Sequence, residues 1–383
     1  MNNSSPDQAG ESITLHELLE RSARSGLDLQ REDGSFPPGR NGVYDEEETP
    51  VRTTAHWLTT LSRVYEITDD NRFEEAANAA ADYLLSDEAR PYGYTFHSRN
   101  VDGKDQCDGL VGQSPAIRGL ARAGRTLHRP ELTETAAEVF LLHPFEDRIG
   151  LWEGVEITGE KLSFDRTLNH QNFFAGCGSY LTDYNDKIAR RVRRFLDNLS
   201  TTLRIHDDGL IKHFARPSLL QMILSMRALR HKNLPWNEVV SHWYSRSSDH
   251  RRKEVGYHPV TLSGLCPLKR AFPDHSFWNH SKYRDTLAYI ESGTWKEERN
   301  QTGTDFGALV PEFVLARVNS TLRSCDEAEL VSLIERGIGR YYDFDSNTLT
   351  KNTTDPAYQA AQIKHLIDFS NLEIQLEAGS GSQ

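Results

Sequence analysis

The chain has 383 residues and a formal charge of −12; such an acidic surface repels phosphate backbones and argues against a nucleic-acid partner. No run of about 18 uninterrupted apolar residues is present, so no membrane-spanning helix is predicted. Cys107, Cys177, Cys266 and Cys325 lie far apart without CxxC spacing, which argues against a disulfide framework or a zinc site.

In chain order, "MNNSSPDQAGESITLHELLE" has neither a basic segment nor an apolar one of secretory type, so the expected location is reducing cytoplasm. Residues 1–10 and 371–383 read as mobile termini around a single domain over 11–370. Amphipathic periodicity predicts helices at 13–29, 52–68, 71–86, 112–127, 130–142, 170–183, 186–203, 216–230, 235–246, 257–271, 280–291, 307–320, 327–338 and 356–369. Asn71 with Glu74 reads as a capping box, and Pro130 suits a first helical turn. The basic run "ARRVRRFLDNL" reads as a solvated arginine face opposite Ile188, Val192, Phe195 and Leu199. Strand patterns are nearly absent; "LWEGVEITGEKLSF" is the best candidate for one short hairpin.

The connections alternate. Short ones ("TDDN", "HRPE", "NLPWNE") hold turn chemistry, whereas long ones (31–51, 87–111, 143–169, 204–215, 247–257, 292–306 and 340–355) carry Asp, Glu, His, Gly and aromatics. Long loops in a compact helical protein are usually functional. The helices at 112–127 and 170–183 are apolar or small on most faces, and their successors are amphipathic, as expected of buried and covering helices. These patterns predict an all-α fold, an (α/α)6-type barrel of helical hairpins with the long loops at one mouth.

The mouth loops deliver Tyr44, Asp45, Arg52, His56 and Trp57, then His97, Asp102, Asp105, Asp108 and Gln113, then Trp152, Asp165, Asn169, His170 and Gln171, and later His258, Trp295 and Asp305. Carboxylates, histidines and aromatics around one cavity suit a carbohydrate, whose ring faces stack and whose hydroxyls donate and accept. Glycosidic cleavage commonly uses two carboxyl groups; isomerisation or epimerisation uses bases near neutrality, such as His56, His170 and His258. Asp108 also fits a plain helix N-cap, and His56 a satisfied core histidine. A non-catalytic glycan-binding protein would need Tyr44, Trp152 and Trp295 but none of the acids. No P-loop, strand-borne GxGxxG or HExxH is present, so no metal or cofactor is expected.

"DGSFPPGRNGVYDEEETPVRTTAHWLTTLSRVYEIT", "CDGLVGQSPAIRGLARAG" and "DRTLNHQNFFAGCGSYL" together resemble the AglQ-type proteins of archaeal N-glycosylation gene clusters. More widely, they are similar to six-hairpin glycosidase-like α/α barrels, including unsaturated glucuronyl hydrolases. The resemblance implies that Asp108 is a general acid/base, with Asp45, Asp102 and Asp165 competing as its partner. It further implies a cytoplasmic enzyme in assembly of the N-linked glycan of surface-layer glycoproteins, with a lipid-linked glycan at the cytoplasmic membrane face as one candidate substrate.

Overall fold

A computed structural model describes residues 11–216, 248–302 and 310–376. Apart from Arg216, the helices predicted over 216–230 and 235–246 lie outside the described residues, as does Asp305. The described residues start with β1 (Glu11–Thr14) and α1 (Leu15–Leu27). Three helical hairpins follow, starting with α2 (Val51–Thr68) and α3 (Asn71–Leu85). The next two are α4 (Gly109–Thr126) with α5 (Pro130–Leu142), and α6 (Leu168–Gly178) with α7 (Asp186–Thr202). A mouth loop between α5 and α6 carries β2 (Phe145–Glu146), β3 (Leu151–Val155) and β4 (Lys161–Phe164), a small antiparallel sheet containing the expected hairpin.

Beyond the gap come α8 (Ser248–Ser263), α9 (Cys266–Ala271), α10 (Ser281–Glu291) and α11 (Gly293–Thr302). Then follow α12 (Pro311–Leu322), α13 (Glu327–Tyr341), the short α14 (Pro356–Ala360) running into a 3-10 turn at Ala361–His365, and β5 (Glu373–Leu376).

The inner helices close a ring. α2 packs on α4, α4 on α6, α6 on α8, α8 on α12, and α12 on the 3-10 turn, which returns to α2. Outside them, α3 covers α2, α5 covers α4, α7 covers α6 and α13 covers α12. The sequence reason is visible in α6 and α7. α6 buries Asn169, Gln171, Phe174, Ala175, Gly176 and Cys177, on several sides of the helix. α7 buries Ile188, Val192, Phe195 and Leu199 and turns Arg190, Arg193 and Arg194 outward, as predicted, while Arg191 donates to the Leu141 and His143 carbonyls. The fold is the expected α/α barrel, and no described helix is long and apolar enough to cross a membrane.

Several boundaries differ from the sequence reading. The cap of α3 is Asp70, whose side chain accepts from Arg72 N at 3.0 Å, rather than Asn71. α8 begins nine residues before the predicted start, inside what reads as the 247–257 loop, because its polar first turns carry no apolar stripe to betray them. α11 forms within the 292–306 connection and buries Trp295. The chain from 371 is not all loose tail: β5 pairs antiparallel with β1, Glu11 opposite Leu376, joining the two ends of the described chain.

Candidate functional site

Each inner helix turns one stripe of side chains toward the barrel axis. On α4 the stripe is Val111, Ser114, Pro115 and Arg118, the i, i+3, i+4, i+7 spacing of a single helix face. α6 supplies His170, Phe173, Gly176 and Cys177, and α8 supplies Lys253, Tyr257, Val260 and Ser263. Arg52 and His56 of α2, Arg317 of α12, and Tyr358, Lys364 and His365 complete the wall. Tyr44, Glu46 and Arg99 reach it from the loops. The enclosed cavity measures about 340 Å³, inside the range of small-molecule sites.

Asp108 stands where a mouth loop enters α4, with φ of 53°, a left-handed conformation that Asp tolerates better than most residues. It occupies the N-cap position without capping. The first N–H groups of α4 go instead to two other carboxylates, Gly109 N to Asp105 Oδ1 at 2.9 Å and Leu110 N to Asp165 Oδ2 at 3.4 Å. Gly112 permits this arrangement, since a Cβ there would lie 2.3 Å from the Cys107 carbonyl oxygen. The Asp108 carboxylate faces two guanidinium groups, accepting from Arg99 Nη1 at 2.8 Å and from Arg52 Nη2. Arg52 also pairs with Glu48 at 3.0 Å. Burial, against the attraction of Arg52, pushes Glu48 up to about 7. Guanidinium groups only donate, so both Asp108 oxygens act as acceptors. Asp108→Asn keeps the shape but loses the charge, and should lower the unfolding free energy by about 2 kcal/mol in a denaturant titration. A capping role alone would leave it nearly unchanged, since Asn caps as well as Asp.

At the start of the adjacent inner helix α6, Asp165 Oδ2 lies 2.8 Å from His170 Nδ1. Asp165 also accepts from Thr167 N at 3.1 Å. Burial would raise the Asp165 pKa, but the charge and hydrogen bond of His170, with these backbone N–H groups, hold it below its ordinary value. Burial would lower the His170 pKa, yet Asp165, aided by the charge of Asp108, holds it above the ordinary value. The Asp165 contact occupies Nδ1 and leaves Nε2 as the ring nitrogen for a ligand.

His213 comes next to it from the following loop, tied down where Leu168 N donates to the His213 carbonyl at 2.9 Å. Burial, then the charges of His170 and Lys253, push His213 down to about 3. At the far side His56 Nε2 meets Lys364 Nζ. Burial, with Arg118, Arg52 and Arg317, holds Lys364 well below the usual lysine range.

Among the sequence candidates, Tyr44, Arg52, His56, Asp108, Asn169 and His170 line the cavity. Asp165 acts from behind His170. Asp45 is at the surface, ion-paired with Arg40, and His97 does not reach the cavity. The three tryptophans are a correction: Trp57, Trp152 and Trp295 are core residues, and a buried indole offers no face to a sugar. Trp57 stacks on Phe36 with centroids 5.3 Å apart, and Trp295 Nε1 donates to Val255 O at 3.3 Å.

Gln113 and Gln171 are also structural. Gln113 bonds the backbone of Phe96 and Cys107, and Gln171 clamps both backbone groups of Trp152. His258 is a core histidine: Nδ1 accepts from Ile211 N at 3.2 Å and Nε2 donates to Thr286 O at 3.0 Å. Burial pushes it down to about 4, although the Thr286 carbonyl works the other way. Its folded pKa is depressed, so the neutral ring stabilises the fold above the unfolded value of 6.5. That contribution is lost as pH falls from there toward 4. Between pH 7 and pH 5 the protein should lose about 2 kcal/mol through this residue. Urea unfolding at both pH values should show that loss shrinking in His258→Gln.

The aromatic platforms of the cavity are Phe173, Tyr257, Tyr358 and Tyr44, and its deep cations are Arg118, Arg317 and Lys364. Sequence reasoning overlooked Phe173 and these cations because it searched helix starts; the signal was a charged residue on an otherwise apolar inner helix.

No protein-family model matches the chain. The chain is 38% identical, over 95% of its length and 100% of the relative's, to archaeal glycosylation protein Q of Haloferax volcanii. It belongs to that protein's family. Among solved structures, the cellobiose 2-epimerase of Bacillus thermoamylovorans superposes with a TM-score of 0.60 at 12% identity, covering 92% of this chain and 98% of the epimerase. A D-mannose isomerase gives 0.58 at 13%, covering 92% and 96%. An inactive variant of the α-1,6-mannanase of a Salegentibacter species, in complex with α-1,6-mannotetrose, gives 0.52 at 10%, covering 93% and 98%. At such identities the likeness is one of fold, and this family member shares its barrel with both isomerising and hydrolysing enzymes.

Proposed function

We propose that this protein is a glycan-processing enzyme that moves a proton at a sugar carbon, an isomerase or epimerase reaction, with His170 and His213 as the proton-transfer pair. The observation that carries this reading is the opposed displacement of two neighbouring histidines in one cavity, a pattern that separates proton donor from acceptor. Hydrolysis by two carboxyl groups needs one free to give a proton and another to act as base or nucleophile. The two carboxylates lining this cavity, Glu46 and Asp108, are both ion-paired with Arg99. The general-acid role expected for Asp108 therefore gives way to an electrostatic one, holding Arg52 and Arg99 at the mouth.

In the reaction, the unprotonated ring of His213 takes the proton from the carbon beside an open-chain carbonyl. His170 returns one from Nε2, while Asp165 keeps its Nδ1 side in place. The name of the Haloferax relative supports a setting in archaeal glycosylation. A lipid-linked sugar at the cytoplasmic membrane face is the candidate substrate there.

Incubating the protein in D2O with a panel of neutral and anionic aldoses and glycosides tests the reading by proton NMR. Deuterium entering a C–H position is expected. Release of new reducing ends with no deuterium on carbon would instead make the protein a hydrolase.

A further inference from the structure

The proton transfer leaves the buried amine of the cavity wall unused. The 3-10 turn Ala361–His365 packs against α2 where the ring closes, and it places Lys364 on that wall. Lys364 is only 8% exposed, a burial that lysine rarely accepts without a paired acid. Among the described residues it has no ion pair, and its amine meets Nε2 of His56 instead. His56 is buried as well, and its Nδ1 has no hydrogen-bond partner among the described residues.

Arg118 and Arg317 face the same enclosed space, with Arg52 on the α2 wall. Guanidinium groups stay protonated in proteins, so relief of the crowding falls on the one basic group of this set that can shed its charge. Burial, then the charges of Arg118, Arg52 and Arg317, hold Lys364 well below the usual lysine range, against a weaker pull from Glu48. Burial, with Lys364 and Arg118, likewise holds His56 well below the usual histidine range. A neutral amine donating to a neutral imidazole accounts for their contact without bringing two cations together. Desolvation beside other cations is also what makes a lysine nucleophilic at neutral pH.

We propose that Lys364 is a carbonyl-reactive amine that captures the open-chain aldehyde of the sugar as an imine, with His56 as its proton carrier. The Lys364 nitrogen forms a bond to the carbonyl carbon, and the carbonyl oxygen takes a proton. His56 Nε2 accepts a proton from the attacking nitrogen and returns it to the resulting hydroxyl, which leaves as water while the carbon–nitrogen double bond forms. No oxidant, reductant or metal enters the balance. The imine carbon, once protonated at nitrogen, draws electrons from the carbon beside it and eases the loss of that carbon's proton. The amine and the two proton-transfer histidines share one cavity, and the charge of Arg52 bears on both His170 and Lys364. The step rests on the sugar-processing reading, which supplies the open-chain carbonyl.

Reductive trapping on the full chain at pH 7 tests it. D-glyceraldehyde, an aldose too short to close a stable ring, is added with cyanoborohydride, which delivers hydride to an imine carbon and fixes the sugar on the lysine as a secondary amine. Peptide mass spectrometry then maps the labelled lysines over time. Lys364 should be labelled about 10-fold or more faster than the exposed Lys161 and Lys187, since an ordinary lysine is neutral in only about 0.04% of molecules at pH 7. Lys364→Gln should keep the surface labels and lose this one, and the map of the unaltered chain decides the question even where that variant fails to fold. His56→Gln should slow the labelling of Lys364 alone. Labelling of Lys364 no faster than that of Lys161 and Lys187, or undiminished in His56→Gln, overturns the proposal. Deuterium exchange into sugars with Lys364 unlabelled would remove only this inference. A labelled Lys364 without deuterium exchange would remove only the proton-transfer reading.

Discussion

Replacing His170 with Asn should reduce turnover by ~100-fold or more while costing only about 1 kcal/mol of stability. The small structural cost follows because Asp165 keeps its backbone donors, Thr167 N at 3.1 Å and Leu110 N at 3.4 Å. The large kinetic cost follows because Asn carries no titrating proton near pH 7. Asp165→Asn distinguishes positioning from structure. It removes the charge that holds the His170 pKa up, so the alkaline limb of the pH–rate profile should move to lower pH. The sign is consistent with linkage: a raised histidine pKa stabilises the fold below the unfolded value and that contribution is lost as pH rises through the folded one. Initial rates across pH for the three proteins, with thermal unfolding in parallel, decide the matter. Near-normal turnover in His170→Asn would remove His170 from the chemistry.

Trp152→Ala should cost about 3–5 kcal/mol of stability, a large fraction of the roughly 5–15 kcal/mol that holds an ordinary protein folded. The indole is fully buried among Phe140, Phe145, Phe174 and Phe195, with ring centroids 4.5–5.6 Å away. Its N–H has no partner among the described residues, so the loss is one of packing and of the cavity left behind. Those phenylalanines come from α5, α6, α7 and β2, which makes Trp152 the hub where the mouth sheet joins three helices. Denaturant unfolding monitored by circular dichroism measures the effect. A stable, folded variant with weakened sugar binding would return Trp152 to the cavity wall.

The hairpin repeat was readable from the chain itself. Helical periodicity, the contrast between α6 and α7, and the alternation of short and long connections all follow from local rules, and each reappears in the barrel. The place where Asp108 meets α4 was readable too, because an acid and two glycines crowd one helix start. Position along the chain, however, says nothing about which way a side chain points.

Trp152 and Asp165 come from one loop, yet the first completes a core of four phenylalanines and the second orients a histidine. Gln113 and Arg118 share α4, five residues apart and so on different faces. The glutamine ties the loop backbone, and the arginine enters the cavity. The capping reading of Asp108 was decided only when Asp105 and Asp165 were seen taking the helix N–H groups and two arginines the Asp108 carboxylate. Sequence by itself determined the repeat, because secondary structure and amphipathicity depend on neighbours a few residues away. The site was decided by tertiary structure, because ring closure brings together α2, α4, α6, α8, α12 and the turn after α14, and the sum of their charges exists only once the ring is closed.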